Sequence, residues 1–451
     1  MRIIVIIFAF SISLLGLPVK PLLAQENKAS TAPAISKSGI KEVVETLSQR
    51  LIKNYVYPEK GQLMSKHIKS RYKKGAYNHI TDPNQFANQL NKDLQQVHTD
   101  GHMGIFYNPG MAEELEKPPL SEEERKQQQR ERDLPWLLDI NFAFQKLEIL
   151  PGNIGYARID GFAPLLPEAK PIFNGAFQFL KNTKAIIIDL RYNGGGDPTM
   201  VNQVESYFFG KKTHLLNIID PGENKTHELY ADPAKVDSVT LTMPMYILTS
   251  SKTFSGAEAF SYDMQSVKRA TIVGEITGGG ANLARGYSLG HGMVGQIPGA
   301  RPYNPYTKTN WEGIGVKPDI AVPSEQALSK AQTAFFSELI AKATDEKEKN
   351  RLKWQLNTSI ASSNITSPNP ATLNQYVGVY QGGLDFYVKD GRLFCKNAER
   401  GNEIFELKPI ADALFLLAGD VQVQFEKDST GAYSKIKMLW SDGGISEKTK
   451  I

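Results

Sequence analysis

The stretch Tyr246–Ala281, YILTSSKTFSGAEAFSYDMQSVKRATIVGEITGGGA, decides how the rest of the chain is read. An apolar strand, Tyr246 to Leu248, runs into a Thr/Ser-rich turn. Ser255 then opens a helix through Gly256 and Ala257, and a second strand, Thr271 to Val273, follows and leads into a glycine run. A hydroxyl at a helix N-terminus lies beside unpaired backbone N–H groups and the positive end of the helix dipole, which favour the negative charge that develops on a carbonyl oxygen during acyl transfer. Ser255 is thus a candidate nucleophile and the Gly256 N–H a candidate oxyanion donor. Serine is also a favoured helix cap, so the local pattern alone leaves both readings open.

Outward from this stretch, strand-like and helical runs alternate. Ile154 to Ile159 alternates in polarity, Glu168 to Leu180 has helix periodicity, and Lys184 to Leu190 is a continuous apolar run of the kind found in a buried strand. This alternation points to an α/β core, closed by a single long helix from Ser324 to about Asn357. Before the core, Ile40, Val44, Leu47 and Leu51 fall at helical spacing up to Tyr57-Pro58, a second helix is expected over Gly61–Lys73, and Asp82-Pro83 announces a third. These form an N-terminal helical unit over 36–108. The core is expected over 109–358, with a charged, solvated excursion at 109–135. A Ser/Asn/Thr/Pro-rich linker at 359–371 precedes short strands separated by turns over 372–451, which suggest a small β-barrel or sandwich serving as an accessory module.

Composition narrows the class. With 451 residues and a net charge of +4 the chain is long enough for two or three domains, and no basic block is interleaved with aromatics, which argues against nucleic-acid binding. Met1–Ala24 has the architecture of a secretory signal, with Arg2 ahead of an apolar run that is short for a membrane span. Cleavage is expected after Ala24, although Leu22 is large for its position. The product would be an exported protein, periplasmic or extracellular, without a membrane span. The only cysteine, Cys395, has no partner for an internal disulfide. The seven histidines show no metal-ligand spacing, so neither a metal nor an organic cofactor is expected.

An acyl-transfer site needs a base near its nucleophile, a group orienting that base, and oxyanion donors. The run Asp189-Leu-Arg-Tyr-Asn-Gly-Gly-Gly196 follows the buried strand and can turn backbone N–H groups towards a substrate. It lacks the Lys-Ser/Thr ending of a phosphate-binding loop. Taken with Thr253-x-Ser-x-Ala-Glu258, Gly274-Glu-x-Thr277 and Gly315-Val-x-Pro-Asp319, it resembles the tail-specific, or C-terminal-processing, serine protease family. The resemblance covers about 150 to 325 and implies a crotonase-like catalytic core with Ser255 as nucleophile. Family members with a Ser–Lys dyad carry the lysine just after the Gly-Glu-x-Thr run, where this chain has Gly280, and little room is left for a PDZ domain. The chain therefore resembles the branch of interphotoreceptor retinoid-binding protein repeats and the tricorn protease core. That likeness implies a triad of His102, Ser255 and Glu312, with a second oxyanion donor from Gly195 or Gly196. His98 and Lys252 are the rival bases, and Glu312 is alternatively a surface carboxylate. The resulting expectation is a serine peptidase acting on peptides or protein ends. Its rival is a non-catalytic binder of a hydrophobic small molecule on the same fold. Glu312 should hold the imidazolium and so raise the proton affinity of the base.

Overall fold

The computed structural model describes residues 32–236, 239–363 and 370–451; the expected signal segment 1–24 lies outside the described residues. Three helices open the described chain: α1 (Lys37–Asn54), α2 (Pro58–Lys73) and α3 (Pro83–Gln95). Ser36 and Asp82 cap α1 and α3 by accepting from the N–H groups of Gly39 and Gln85. α2 begins at Pro58 rather than Gly61, because a proline that cannot continue one helix fits the first turn of the next. The apolar faces of these helices share one core with Ile105 of strand β1 (Gly104–Tyr107) and with Leu289, Met293 and Ile297 from far along the chain. The charged segment that follows is helical, as α4 (Pro109–Glu116) and α5 (Glu122–Asp139). α5 starts with a reciprocal cap between Ser121 and Glu124 and buries Leu137.

From there strands and helices alternate: β2 (Phe144–Leu150), β3 (Ile154–Ile159), α6 (Ala169–Leu180), β4 (Ala185–Asp189), α7 (Pro198–Glu205), the antiparallel pair β5 (Thr213–Asp220) and β6 (Lys225–Ala231), β7 (Met245–Thr249), α8 (Gly256–Ser266), β8 (Thr271–Gly274), the hairpin β9 (Leu283–Gly290) and β10 (Met293–Tyr303), and β11 (Ile320–Ala321). One sheet has the order β11-β8-β7-β4-β3-β2 and is parallel except at β2. β4 and β7 are buried along their whole length, which is why they read as continuous apolar runs. Because they are parallel neighbours, the loops leaving their C-terminal ends, Leu190–Asp197 and Ser250–Ser255, lie side by side. In a second sheet, long β10 pairs with β1 and β9 through its first half and with β5 through its last residues. This links the N-terminal helices to the parallel sheet.

The single closing helix expected over 324–357 is instead α9 (Ala327–Lys342) and α10 (Glu346–Ser363). Asp345 accepts from the Glu348 N–H and so starts a new helix where periodicity alone suggested continuation. α10 runs into the expected linker, of which 364–369 lie outside the described residues. After the short α11 (Pro370–Leu373), β12 (Gly378–Tyr380), β13 (Leu384–Lys389), β14 (Arg392–Asn397) and β15 (Glu403–Glu406) form one antiparallel sheet. β16 (Lys408–Ala411), β17 (Leu414–Ala418), β18 (Val421–Lys427), β19 (Tyr433–Trp440) and β20 (Ile445–Thr449) form a second. Both contribute to one core that includes Phe386, Cys395, Phe415, Phe425 and Ile436. Tyr376, ahead of β12, is a buried core ring. This region rests on α10, where the Gln422 side chain donates to the Trp354 carbonyl and accepts from Asn357 Nδ2.

Candidate active site

Ser255 stands at the end of the β7–α8 turn with φ 52° and ψ −116°, a conformation an L-residue avoids unless its surroundings impose it. The surroundings are identifiable. The Ser255 N–H donates to Glu258 Oε2 at 2.9 Å, and the same carboxylate accepts from the N–H groups of Gly279 and Gly280 at 2.7 and 2.8 Å and from the Thr277 hydroxyl. Glu258 is fully buried, and burial raises its pKa although its hydrogen bonds oppose this. It ties the turn carrying Ser255 to the glycine run. In the sequence Glu258 stands out only as the last residue of the Thr-x-Ser-x-Ala-Glu motif. Its signal was the Ser-x-x-Glu spacing of a capping box.

His102 Nε2 lies 3.0 Å from Ser255 Oγ, so the hydroxyl donates to the ring when the proton of the neutral imidazole is on Nδ1. Nδ1 itself is buried and has no hydrogen-bond partner among the described residues. The carboxylates of Asp100 and Glu312 and a His102 ring nitrogen all lie within 4.8 Å of one another. Glu312 Oε2 accepts from the N–H groups of Ala281 and Asn282 at 2.6 and 3.0 Å. Burial, then the neighbouring charge of Asp100, push its pKa up to about 7. Burial lowers the pKa of His102, and Asp100 acts against that. The upward shift expected from Glu312 is therefore reversed in direction, because desolvation of the imidazolium outweighs the attraction.

Phe254 covers the imidazole, stacked on it at 4.9 Å and 24°. It fills the space left by three glycines. A Cβ on Gly280 would stand 2.1 Å from Phe254 Cζ and 2.8 Å from His102 Cε1, and Cβ atoms on Gly278 and Gly101 would meet the same ring at 2.8 and 3.0 Å. A lysine at position 280 has no room. The rival bases are engaged elsewhere. His98 packs edge-on against Tyr55 and Tyr57, and exposed Lys252 lies over the Tyr192 ring at 5.7 Å.

The glycines after β4 complete the arrangement. Asp189 accepts from Tyr156, from the Arg191 N–H and from the Arg191 guanidinium, which also donates to the Ser324 carbonyl, so the Asp-Leu-Arg part of the motif builds the loop. Gly195 and Gly196 have φ of 103° and 139°, and a Cβ on Gly195 would meet Gly256 N at 2.7 Å and Ser255 Cβ at 2.8 Å. The Gly195 N–H is taken by Asn193 Oδ1 at 2.8 Å. The Gly196 N–H has no acceptor among the described residues, and Gly196 N stands 3.2 Å from where a Gly256 Cβ would be.

A hydroxyl on a strained strand-to-helix turn, with an imidazole in hydrogen-bond reach and glycine N–H groups beside it, is an arrangement of the serine-hydrolase type on a mixed α/β fold. Residues 153–322 match the family model of peptidase family S41, and residues 27–150 match that of the N-terminal domain of this family in eukaryotic IRBP. The chain belongs to peptidase family S41, a family of serine peptidases. It is 28% identical over 152 residues to a carboxy-terminal-processing protease of Bartonella bacilliformis, covering 34% of this chain and 33% of that protein. It is 25% identical over 206 residues to the chloroplastic carboxyl-terminal-processing peptidase 2 of Arabidopsis thaliana, covering 44% and 38%. The chain thus spans between 33% and 38% of the length of these curated relatives. The solved structure of a photosystem II D1 C-terminal processing protease is similar over 38% of this chain and 43% of that one, with 25% identity and a TM-score of 0.33. Among the described residues no helix is long and apolar enough to cross a membrane.

Proposed function

We propose that this protein is an exported serine peptidase that hydrolyses peptide bonds through an acyl-enzyme formed on Ser255. The observation that carries the reading is the 3.0 Å approach of His102 Nε2 to Ser255 Oγ at a turn with positive φ. Ser255 Oγ attacks the substrate carbonyl carbon while its proton passes to Nε2. The resulting oxyanion is held by the N–H groups of Gly256 and Gly196, the latter supported over Gly195 because its N–H is free of Asn193. His102 then protonates the departing amine, and the same base activates water to release the acid product. Glu312, with a carboxylate oxygen within 4.8 Å of a His102 ring nitrogen, is the acidic member of the triad.

The core is of crotonase-like type, and its substrates are peptides or protein ends. Export to the periplasm or exterior rests on the Met1–Ala24 pattern, and the β-rich region after 372 is an accessory barrel or sandwich. A binder of hydrophobic small molecules would have no need of a base at hydrogen-bond distance from a strained serine. A fluorophosphonate probe tests the reading. The wild-type protein should be labelled covalently and folded Ser255→Ala should not. Loss of a cap alone would cost only about 1 kcal/mol and leave the chemistry untouched. Equal labelling of the two proteins sinks the assignment.

A further inference from the structure

Two acidic side chains approach His102, and the hydrogen bonds around them differ. Asp100 is 4% exposed, and three donors converge on it. The His102 N–H reaches Oδ1 at 2.9 Å, while the Tyr55 hydroxyl and Asn282 Nδ2 reach Oδ2 at 2.9 and 3.0 Å. These donors come from the end of α1, from the His102 turn itself and from the start of β9, so Asp100 fastens the turn to both layers that flank it. Glu312 receives two backbone N–H groups on a single oxygen. Two carboxylates this close repel one another when both are charged, and the charge rests where more donors meet it. That is Asp100.

We propose that Asp100 is a positioning residue for the reaction: it fixes the turn that aims His102 at Ser255 and supplies the charge that balances the imidazolium, ahead of Glu312. The inference rests on the Ser255–His102 reading above. Supporting it, Asp100 raises the pKa of His102 against burial, whereas Glu312 is itself pushed towards the neutral form by burial and by Asp100. The other groups around the pair are Tyr55 and Tyr57 after α1, His98 packed on both tyrosines, Glu258 beneath the glycine run, and Arg301 over the Tyr57 ring. The only cation among them, Arg301, is engaged over the Tyr57 ring, whereas both carboxylates come within 4.8 Å of a His102 ring nitrogen and can balance the imidazolium.

The test is the rate of fluorophosphonate labelling between about pH 4 and 9, which needs no knowledge of the natural substrate. Asp100→Asn should slow labelling at the plateau by at least about 100-fold and move the acid-side midpoint to lower pH, since the imidazolium loses its partner. Glu312→Gln should stay within about tenfold of wild type. Tyr55→Phe leaves the carboxylate in place and removes a donor that disperses its charge, so its midpoint should move to higher pH. It also carries the test should Asp100→Asn fail to fold. A purely structural role would slow the reaction or lower the melting temperature without moving either midpoint. Unmoved midpoints, or a larger loss in Glu312→Gln than in Asp100→Asn, overturn the proposal. A wild-type protein that is never labelled removes the peptidase reading itself, and the inference with it.

Discussion

Gly280 leaves no room for a side chain, because any Cβ there collides with the ring of Phe254 and with His102. Gly280→Ala should cost about 1–3 kcal/mol through overpacking, read as a lower melting temperature, and should slow fluorophosphonate labelling by displacing the imidazole. Adding Phe254→Ala should recover the stability without recovering the rate, since the stacked ring is then gone. If Gly280→Ala labels at the wild-type rate, the cover over His102 has no bearing on its aim. Burial of His102 also sets the sign of the pH response: the form active in the proposed mechanism is the neutral imidazole, and burial favours it. The acid-side midpoint of labelling should therefore lie below the value of about 6.5 for an exposed histidine. A midpoint above that value would mean that the surrounding carboxylates outweigh desolvation. At this scale the sequence was informative about Ser255, His102 and Gly280, whose motifs are local. Asp100 and Glu258 were harder to recognise, because their roles arise from partners such as Asn282 and Gly279 that only the folded chain brings to them.

Helix α8 is set by both of its ends. At its start Glu258 gathers four donors, and Glu258→Ala would leave them unpaired in the interior, so a loss of roughly 2–4 kcal/mol together with slower labelling is expected. Further along, Asp263 meets Glu205 of α7, both fully enclosed. Burial raises the pKa of Glu205 to about 8, and burial with the neighbouring carboxylate raises that of Asp263. The native state therefore binds protons that the unfolded chain releases near pH 4, and stability should fall as pH rises from there through about 8. Asp263→Asn should flatten that decline, measured as melting temperature at pH 5 and pH 9. A wild-type curve that is flat over this interval would show that the pair shares no proton. Such a pair was invisible in sequence, since Glu205 and Asp263 lie on separate helices. The buried parallel strands were legible from their unbroken apolar runs, but β9 and β10 were not, being rich in glycine and half-polar. The break between α9 and α10 depends on the cap at Asp345, which outweighs the continuing periodicity.

Across the whole molecule the β-rich C-terminal region has its own core and touches the rest mainly through α10. A chain ending at Ser363 should fold, melt at a lower temperature because one face of α10 is bared, and retain fluorophosphonate labelling. A folded truncation that no longer reacts would assign the region a part in the site. The N-terminal helices are different. Their core includes Leu289, Met293 and Ile297, so they cannot be detached without opening the second sheet. That arrangement has a consequence for the life of the chain. Ser255 and His102 are 153 residues apart in sequence and meet only where the helical layer closes on the parallel sheet. On the mechanism proposed for Ser255, a copy in which the two layers have parted keeps both side chains but loses the 3.0 Å contact between them. Reactivity at Ser255 should then follow the packing of one layer on the other, and disappear with it even where the strands of the parallel sheet stay paired.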